Sequence, residues 1–132
     1  MKREFSAGGI VFKDEKVLVT QHSQNKHWSF PKGLLDHPGQ TMEQSALREV
    51  REEGGVAAEI IGKVGSSKYI YTHEGEKIFK VVTFFLMKYV SGDISDHDFE
   101  VSDLGWFTPE EALEKLTFPQ DRELLKKALN IL

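Results

Sequence analysis

The chain has 132 residues, 39% of them apolar and 29% charged, with no cysteine and a formal net charge of −4. That length fits one domain, the composition is globular rather than disordered, and the missing thiols exclude disulfide scaffolds, zinc–thiolate centres and cysteine nucleophiles. The acidic balance argues against a duplex nucleic-acid partner, because such binding rests on neutralising phosphates. The longest apolar run, Phe84 to Met87, is far too short to cross a bilayer. Residues 1–15 mix Lys2 and Arg3 with Glu4, Asp14 and Glu15 and hold no apolar segment of the secretory kind. A cytoplasmic location without a membrane partner is therefore expected.

Residues 4–12 and 16–22 read as two strands joined by the polar turn Lys13–Asp14–Glu15. Gly8 and Gly9 inside the first strand point to a bulge or a close backbone approach. Pro31, Gly33, Pro38 and Gly39 punctuate residues 23–41, which predicts a structured loop around Trp28–Ser29–Phe30. Thr41 with Gln44 three positions on is a capping-box pattern, so a helix starts there and stops at Gly54–Gly55. Met42, Ala46, Leu47 and Val50 form its apolar stripe. Strand segments follow at Ile60–Ile61 and Lys68 to Thr72, then a turn at His73–Glu74–Gly75. Residues 76–90 read as a long strand, apolar on both faces and thus central in a sheet. Thr108–Pro109–Glu110–Glu111 opens a second helix, and residues 119–131 carry Leu124, Leu125, Ala128 and Leu129 as a last amphipathic helix. The fold class is α/β (α+β), a mixed sheet between helices.

Residues 41–55 carry the chemistry. Glu49, Glu52 and Glu53 fall at three- and four-residue spacings, so their carboxylates share one side of the helix. Like charges at this spacing, close to a helix C-terminus, are mutually unfavourable. Arg48 and Arg51 offset part of that cost on a merely solvated face. The same three carboxylates beside a Gly- and Pro-rich loop also make an oxygen-rich site for a hard cation such as Mg²⁺ or Mn²⁺. Spacing alone leaves both readings open.

Gly33, followed by Arg48–Glu49–Val50–Arg51–Glu52–Glu53–Gly54–Gly55–Val56, resembles the Nudix box, G-x(5)-E-x(7)-R-E-U-x-E-E-x-G-U, where U is aliphatic. The second half matches at every defined position. The first half departs twice. Six residues rather than five follow Gly33, as if one had been inserted around Asp36–His37, and Gln40 stands where the pattern has Glu. Trp28–Ser29–Phe30–Pro31–Lys32–Gly33, Tyr69–Ile70–Tyr71, Lys80, Phe84–Phe85–Leu86 and the tail Leu116 to Arg122 resemble the dinucleoside polyphosphate hydrolase branch.

The resemblance implies a Nudix-type α/β/α sandwich over residues 1–132 and a Mg²⁺-dependent pyrophosphohydrolase, with Mn²⁺ as a substitute. It implies Glu49, Glu52 and Glu53 as metal ligands, with a backbone carbonyl at Lys32 or Gly33 as a further one. Glu49 is equally a match for the water-activating base, and Arg48 for the residue orienting the carboxylates. Glu100, ahead of Gly105–Trp106–Phe107, matches a loop carboxylate that joins the metals or acts as base; in an acidic run with Asp96, Asp98 and Asp103 it also reads as solvated loop. Lys32 and Lys80 match phosphate contacts, although a loop lysine facing water and a snorkelling lysine are the plain alternatives. Tyr69 and Tyr71 share a strand face and could stack on an adenine, or serve as core. The five histidines lack zinc-ligand spacing.

The expected partner is a small nucleotide polyphosphate, with diadenosine tetraphosphate as the leading substrate. Alternatives are a housecleaning nucleoside triphosphate pyrophosphatase, an RNA 5′-pyrophosphohydrolase, an ADP-sugar hydrolase and an inositol pyrophosphate phosphatase. From another class, the altered first half of the box fits a nucleotide-binding module with weakened catalysis. The sequence leaves the oligomeric state open.

Overall fold

A computed structural model describes residues 1–132. Side-chain alternation along the strands sets its layers. In β1 (Lys2–Lys13) and β2 (Lys16–His22), Ala7, Val11 and Leu18 face one way while Ile10, Phe12, Val17 and Val19 face the other, all of them buried. The short strands β3 (Trp28–Ser29) and β4 (Lys32–Leu34) lead to helix α1 (Met42–Gly54). Two long strands follow, β5 (Val56–His73) and β6 (Glu76–Gly92), then a single 3₁₀ turn at Ile94–Asp96 and β7 (Val101–Phe107). Helices α2 (Pro109–Lys115) and α3 (Pro119–Ile131) complete the chain.

The sheet runs β3-β2-β1-β6-β5, with β4 also paired to β1 and β7 to β2. Only β1 and β6 pair in parallel. Helix α1 packs on one face against Val11, Leu18, Phe85 and Met87. Helices α2 and α3 pack on the other against Ile10, Val19, Phe84 and Leu86. The result is the expected α/β/α sandwich, and β6 is central, as its two-sided apolarity requires.

The local signals behave as their chemistry dictates. Thr41 Oγ1 accepts from the Gln44 N–H at 3.1 Å while Gln44 Oε1 accepts from the Thr41 N–H at 2.9 Å. Gly55, with φ +75°, closes the helix in the left-handed region. Glu74 and Gly75 both have positive φ, which gives the tight hairpin between β5 and β6. Gly8 and Gly9 mark close approaches. A Cβ on Gly8 would sit 2.2 Å from the Pro31 carbonyl oxygen, and the Gly9 N–H donates to that same oxygen at 3.0 Å.

Three stretches differ from the sequence reading. Residues 56–73 form one strand instead of two segments, because register shifts between Ile60 and Gly62 and between Lys63 and Gly65 absorb the breaks in its pattern. Trp28–Ser29 is a strand hydrogen-bonded to β2 rather than loop. Residues 101–107, read as the neighbourhood of a loop, are a strand; β7 pairs only with β2 and so needs no two-sided apolar pattern. No helix is long and apolar enough to cross a membrane.

Gly9 is a point of close approach between β1 and α1. A Cβ there would come 2.6 Å from Met87 Sδ and 2.7 Å from Val50 Cγ2. Gly9→Ala should therefore cost about 1–3 kcal/mol through overpacking, read as a lower urea midpoint at unchanged m-value. An unchanged midpoint would show that α1 can lift away from β1 without cost.

Candidate functional site

Helices α2 and α3 cover only part of their face of the sheet. Beyond them, strand register lays out two rows: a buried one with Ser6 opposite Val82 and Ser67 beyond, then a partly exposed one with Glu4 opposite Lys80 and Tyr69 beyond. Ser6, Val82, Ser67, Lys80 and Tyr69 from these rows line a cavity of about 970 Å³. Lys32, Gly33, Arg48, Glu49, Glu52 and Glu53 line it on the side of the α1 entry loop. Tyr69, Tyr71, Lys80 and Glu100 line it too, so the candidate metal, catalytic and substrate-contact residues border one space, while Gln40 lies outside it.

The box carboxylates sit where the fold forces them inward. Glu49 is 6% and Glu53 8% exposed. Glu53 Oε1 accepts from the Lys32 backbone N–H at 3.1 Å. The Glu49 carboxylate lies against Gly33 so closely that a Cβ there would come within 2.3 Å of both its oxygens. Arg48 Nη1 donates to Glu49 Oε1 at 2.9 Å and to Glu52 Oε2 at 3.1 Å. Glu52 is the most exposed of the three, with 47% of its side chain open. In this arrangement Glu49 and Glu52 are drawn to Arg48 and Glu53 to the Lys32 N–H, and no three carboxylates close on a single point.

Gln40 joins this network. Its Oε1 accepts from Arg48 Nε and from Ser45 Oγ, each at 3.2 Å. The amide thus keeps the acceptor a glutamate would supply while adding no charge. Asp36, in the lengthened loop, lies 3.7 Å from Arg48 Nη2, which has no hydrogen-bond partner. His37 stands 3.5 Å from Asp36 and both border the cavity. Glu100 precedes β7, its N–H donating to Asp98 Oδ1 at 3.1 Å, and its charge is felt at both Glu49 and Glu53.

Burial dominates the electrostatics. It pushes the Glu49 carboxyl up to about 7, opposed by Arg48, and the Glu53 carboxyl up to about 8, opposed by the Lys32 N–H. Burial also lowers the Lys80 ammonium, against the attraction of Glu4. Buried carboxylates with raised pKa values, which Arg48 neutralises only in part, are a hard-oxygen donor set that suits a divalent cation.

At the other end the cavity is aromatic. Tyr69 and Tyr71 do share a strand face, with ring centroids 6.2 Å apart. The ring parallel to Tyr69 is, however, Phe118, at 6.3 Å and 11°. The Tyr71 hydroxyl donates to Glu4 Oε1. Asp121, 4% exposed, accepts from Ser29 Oγ at 2.7 Å and Ser67 Oγ at 3.0 Å, pinning the start of α3 to two strands. Gln120 reinforces this by exchanging two 2.8 Å bonds with the Lys68 backbone. Phe118, Asp121 and Glu4 were not singled out from the sequence. The run Phe118–Pro119–Gln120–Asp121 held the signal for two of them, a Pro-started helix preceded by an aromatic.

Compared with known families, residues 2–128 match the model of the NUDIX domain. The chain belongs to this family. It is 32% identical over 135 residues to the MutT4 protein of Mycobacterium tuberculosis, covering 95% of this chain and 54% of that one. It is 31% identical over 135 residues to an 8-oxo-(d)GTP phosphatase of Mycolicibacterium smegmatis, covering 92% of this chain and 40% of that one. The chain thus spans about half, or less, of these curated relatives. Among solved structures it resembles a C. elegans Ap4A hydrolase, with a TM-score of 0.80 at 25% identity, covering 97% of this chain and 96% of the other. NUDIX enzymes generally use divalent metal ions.

A stability profile follows from the two raised carboxyls. Each binds its proton more tightly folded than unfolded, so its contribution is fully present below about pH 4.5 and is lost as pH rises through 7 to 8. The metal-free protein should lose on the order of a few kcal/mol between pH 5 and pH 8.5. A divalent cation should restore most of it at pH 8.5 and little at pH 5, measured by urea unfolding. Equal effects of the cation at both pH values would contradict the placement of these carboxylates.

Proposed function

We propose that this NUDIX chain is a metal-dependent pyrophosphohydrolase that cleaves a nucleotide polyphosphate by water attack at phosphorus. The observation that carries the reading is one cavity joining buried box carboxylates, two lysines and an aromatic pair. In this reading Glu49, Glu52 and Glu53, with the backbone carbonyl at Lys32 or Gly33, hold Mg²⁺ or Mn²⁺. When bound, the metal neutralises phosphate oxygens and acidifies a coordinated water. Arg48 aims the carboxylates of Glu49 and Glu52, and Gln40 fixes the plane of its guanidinium. Glu49 or Glu100 takes the proton of the attacking water, a contribution of about 10²–10⁴-fold for a well-placed base. Lys32 and Lys80 meet the phosphate chain as point charges, and Tyr69, with Phe118 beside it, offers a stacking face to a base.

Diadenosine tetraphosphate, or another dinucleoside polyphosphate, is the substrate this reading favours. The cavity of about 970 Å³ is at the roomy end for a small-molecule site and suits a long anion. Likeness to the C. elegans Ap4A hydrolase structure over nearly the whole of both chains supports it. A nucleoside triphosphate pyrophosphatase is the second reading, supported by the curated relative named as an 8-oxo-(d)GTP phosphatase.

The test is kcat/KM for diadenosine tetraphosphate, ATP, an oxidised dGTP and ADP-ribose, with and without Mg²⁺. Diadenosine tetraphosphate should rank first, and a clear preference for oxidised dGTP would favour the second reading. Glu52→Gln and Glu53→Gln should each lower turnover at least about 100-fold. Glu53→Gln should fold with unimpaired stability above neutral pH, because a buried charge is removed. Near-normal rates in both variants at saturating Mg²⁺ would overturn the site.

A further inference from the structure

Two residues that line the cavity, Lys80 and Tyr71, share a carboxylate behind them that the proposed reaction does not use. Glu4 on β1 lies directly opposite Lys80 on β6, and the two side chains are 19% and 16% exposed. The Lys80 ammonium stands 3.9 Å from Glu4 Oε1, at the outer limit of an ion pair. The Tyr71 hydroxyl, reaching over from β5, donates to that same oxygen in a short hydrogen bond. The other charges that Lys80 feels are Lys32 and Glu53, towards the box. One carboxylate oxygen is therefore shared between a tight neutral donor and a loose cationic one.

We propose that Glu4 and Tyr71 set the affinity of this cavity for phosphate by controlling how far Lys80 is neutralised. The inference rests on the reading of Lys80 as a phosphate contact. Glu4 is the resident anion with which an incoming phosphate competes for the ammonium. Tyr71 holds that anion on its hydroxyl, so the ammonium can turn to phosphate without dragging the carboxylate along. A carboxylate beside a polyphosphate is repulsive, and its effect is strengthened where water is sparse. The pair is thus a specificity device: it disfavours a phosphate group placed over the Glu4–Lys80 row and favours anions whose charge lies further towards Lys32 and the box.

The two residues make opposite predictions, which a merely structural role would not. Glu4→Gln keeps an acceptor for Tyr71 but removes the competing charge, so binding of inorganic tripolyphosphate should tighten about three- to tenfold. Tyr71→Phe keeps the ring but frees the Glu4 carboxylate to close on Lys80, so binding should weaken by a similar factor. The double variant should behave like Glu4→Gln alone, because without the carboxylate the hydroxyl has nothing to hold back. The experiment is calorimetric titration of the intact chain with tripolyphosphate, with thermal unfolding of each variant as a check on folding. Lys80→Met is included to separate two failures. If it leaves tripolyphosphate affinity unchanged, Lys80 is not a phosphate contact and the underlying reading falls. If it weakens binding while Glu4→Gln and Tyr71→Phe shift affinity in the same direction, or not at all, the competition proposed here is overturned.

Discussion

Two buried carboxylates held against the backbone of one loop are the constraint on which the rest of this structure depends. Glu49 and Glu53 point from α1 into Lys32–Gly33, one packed against a glycine with no room for a side chain, the other accepting the Lys32 N–H. Burying such groups is costly unless something compensates. The fold spends much of its geometry bringing the loop close enough. Gly8 lets β1 approach Pro31, β4 locks Lys32 and Gly33 onto β1, and Gly9 lets α1 settle on the same strand.

The opposite side of the site follows from incomplete cover. Because α3 is anchored through Asp121 and Gln120 to β3 and β5, at the two ends of the sheet, the row carrying Glu4, Lys80 and Tyr69 is only partly covered. An uncovered stretch of a central parallel pair is unusual, since such strands are ordinarily buried on both faces. Here the uncovered residues are polar or aromatic rather than aliphatic, so the opening is encoded in the strands themselves. The buried Ser6 hydroxyl, without a hydrogen-bond partner, faces this same space.

Much of this is legible in the sequence because it rests on local rules. The Thr41–Gln44 capping box, the Gly55 stop and the Glu74–Gly75 turn are short-range chemistry and appear where their residues stand. The spacing of Glu49, Glu52 and Glu53 is by itself enough to put three carboxylates on one side of a helix. What escapes a sequence reading depends on pairing across the chain. Strand β7 is a short, half-exposed edge whose partner β2 lies far earlier in the chain, so neither alternation nor propensity marks it. Glu4 is an ordinary strand-end charge in the sequence; only the pairing of β1 with β6 sets Lys80 opposite it, and only β5 brings Tyr71 to it. Phe118 becomes part of the site because α3 is tied back to β3 and β5.

The most direct test of the central constraint is to fill the space at Gly33. Its φ is not in the left-handed region, so Gly33→Ala should still fold, although the new methyl must displace the Glu49 carboxylate. Calorimetric titration of the variant with Mg²⁺ or Mn²⁺ should show affinity at least about tenfold weaker than in the unmodified chain, as expected when a carboxylate ligand is moved out of reach. Unchanged metal affinity in a folded Gly33→Ala protein would contradict the account, because the contact between Glu49 and the loop would then have no part in holding the cation.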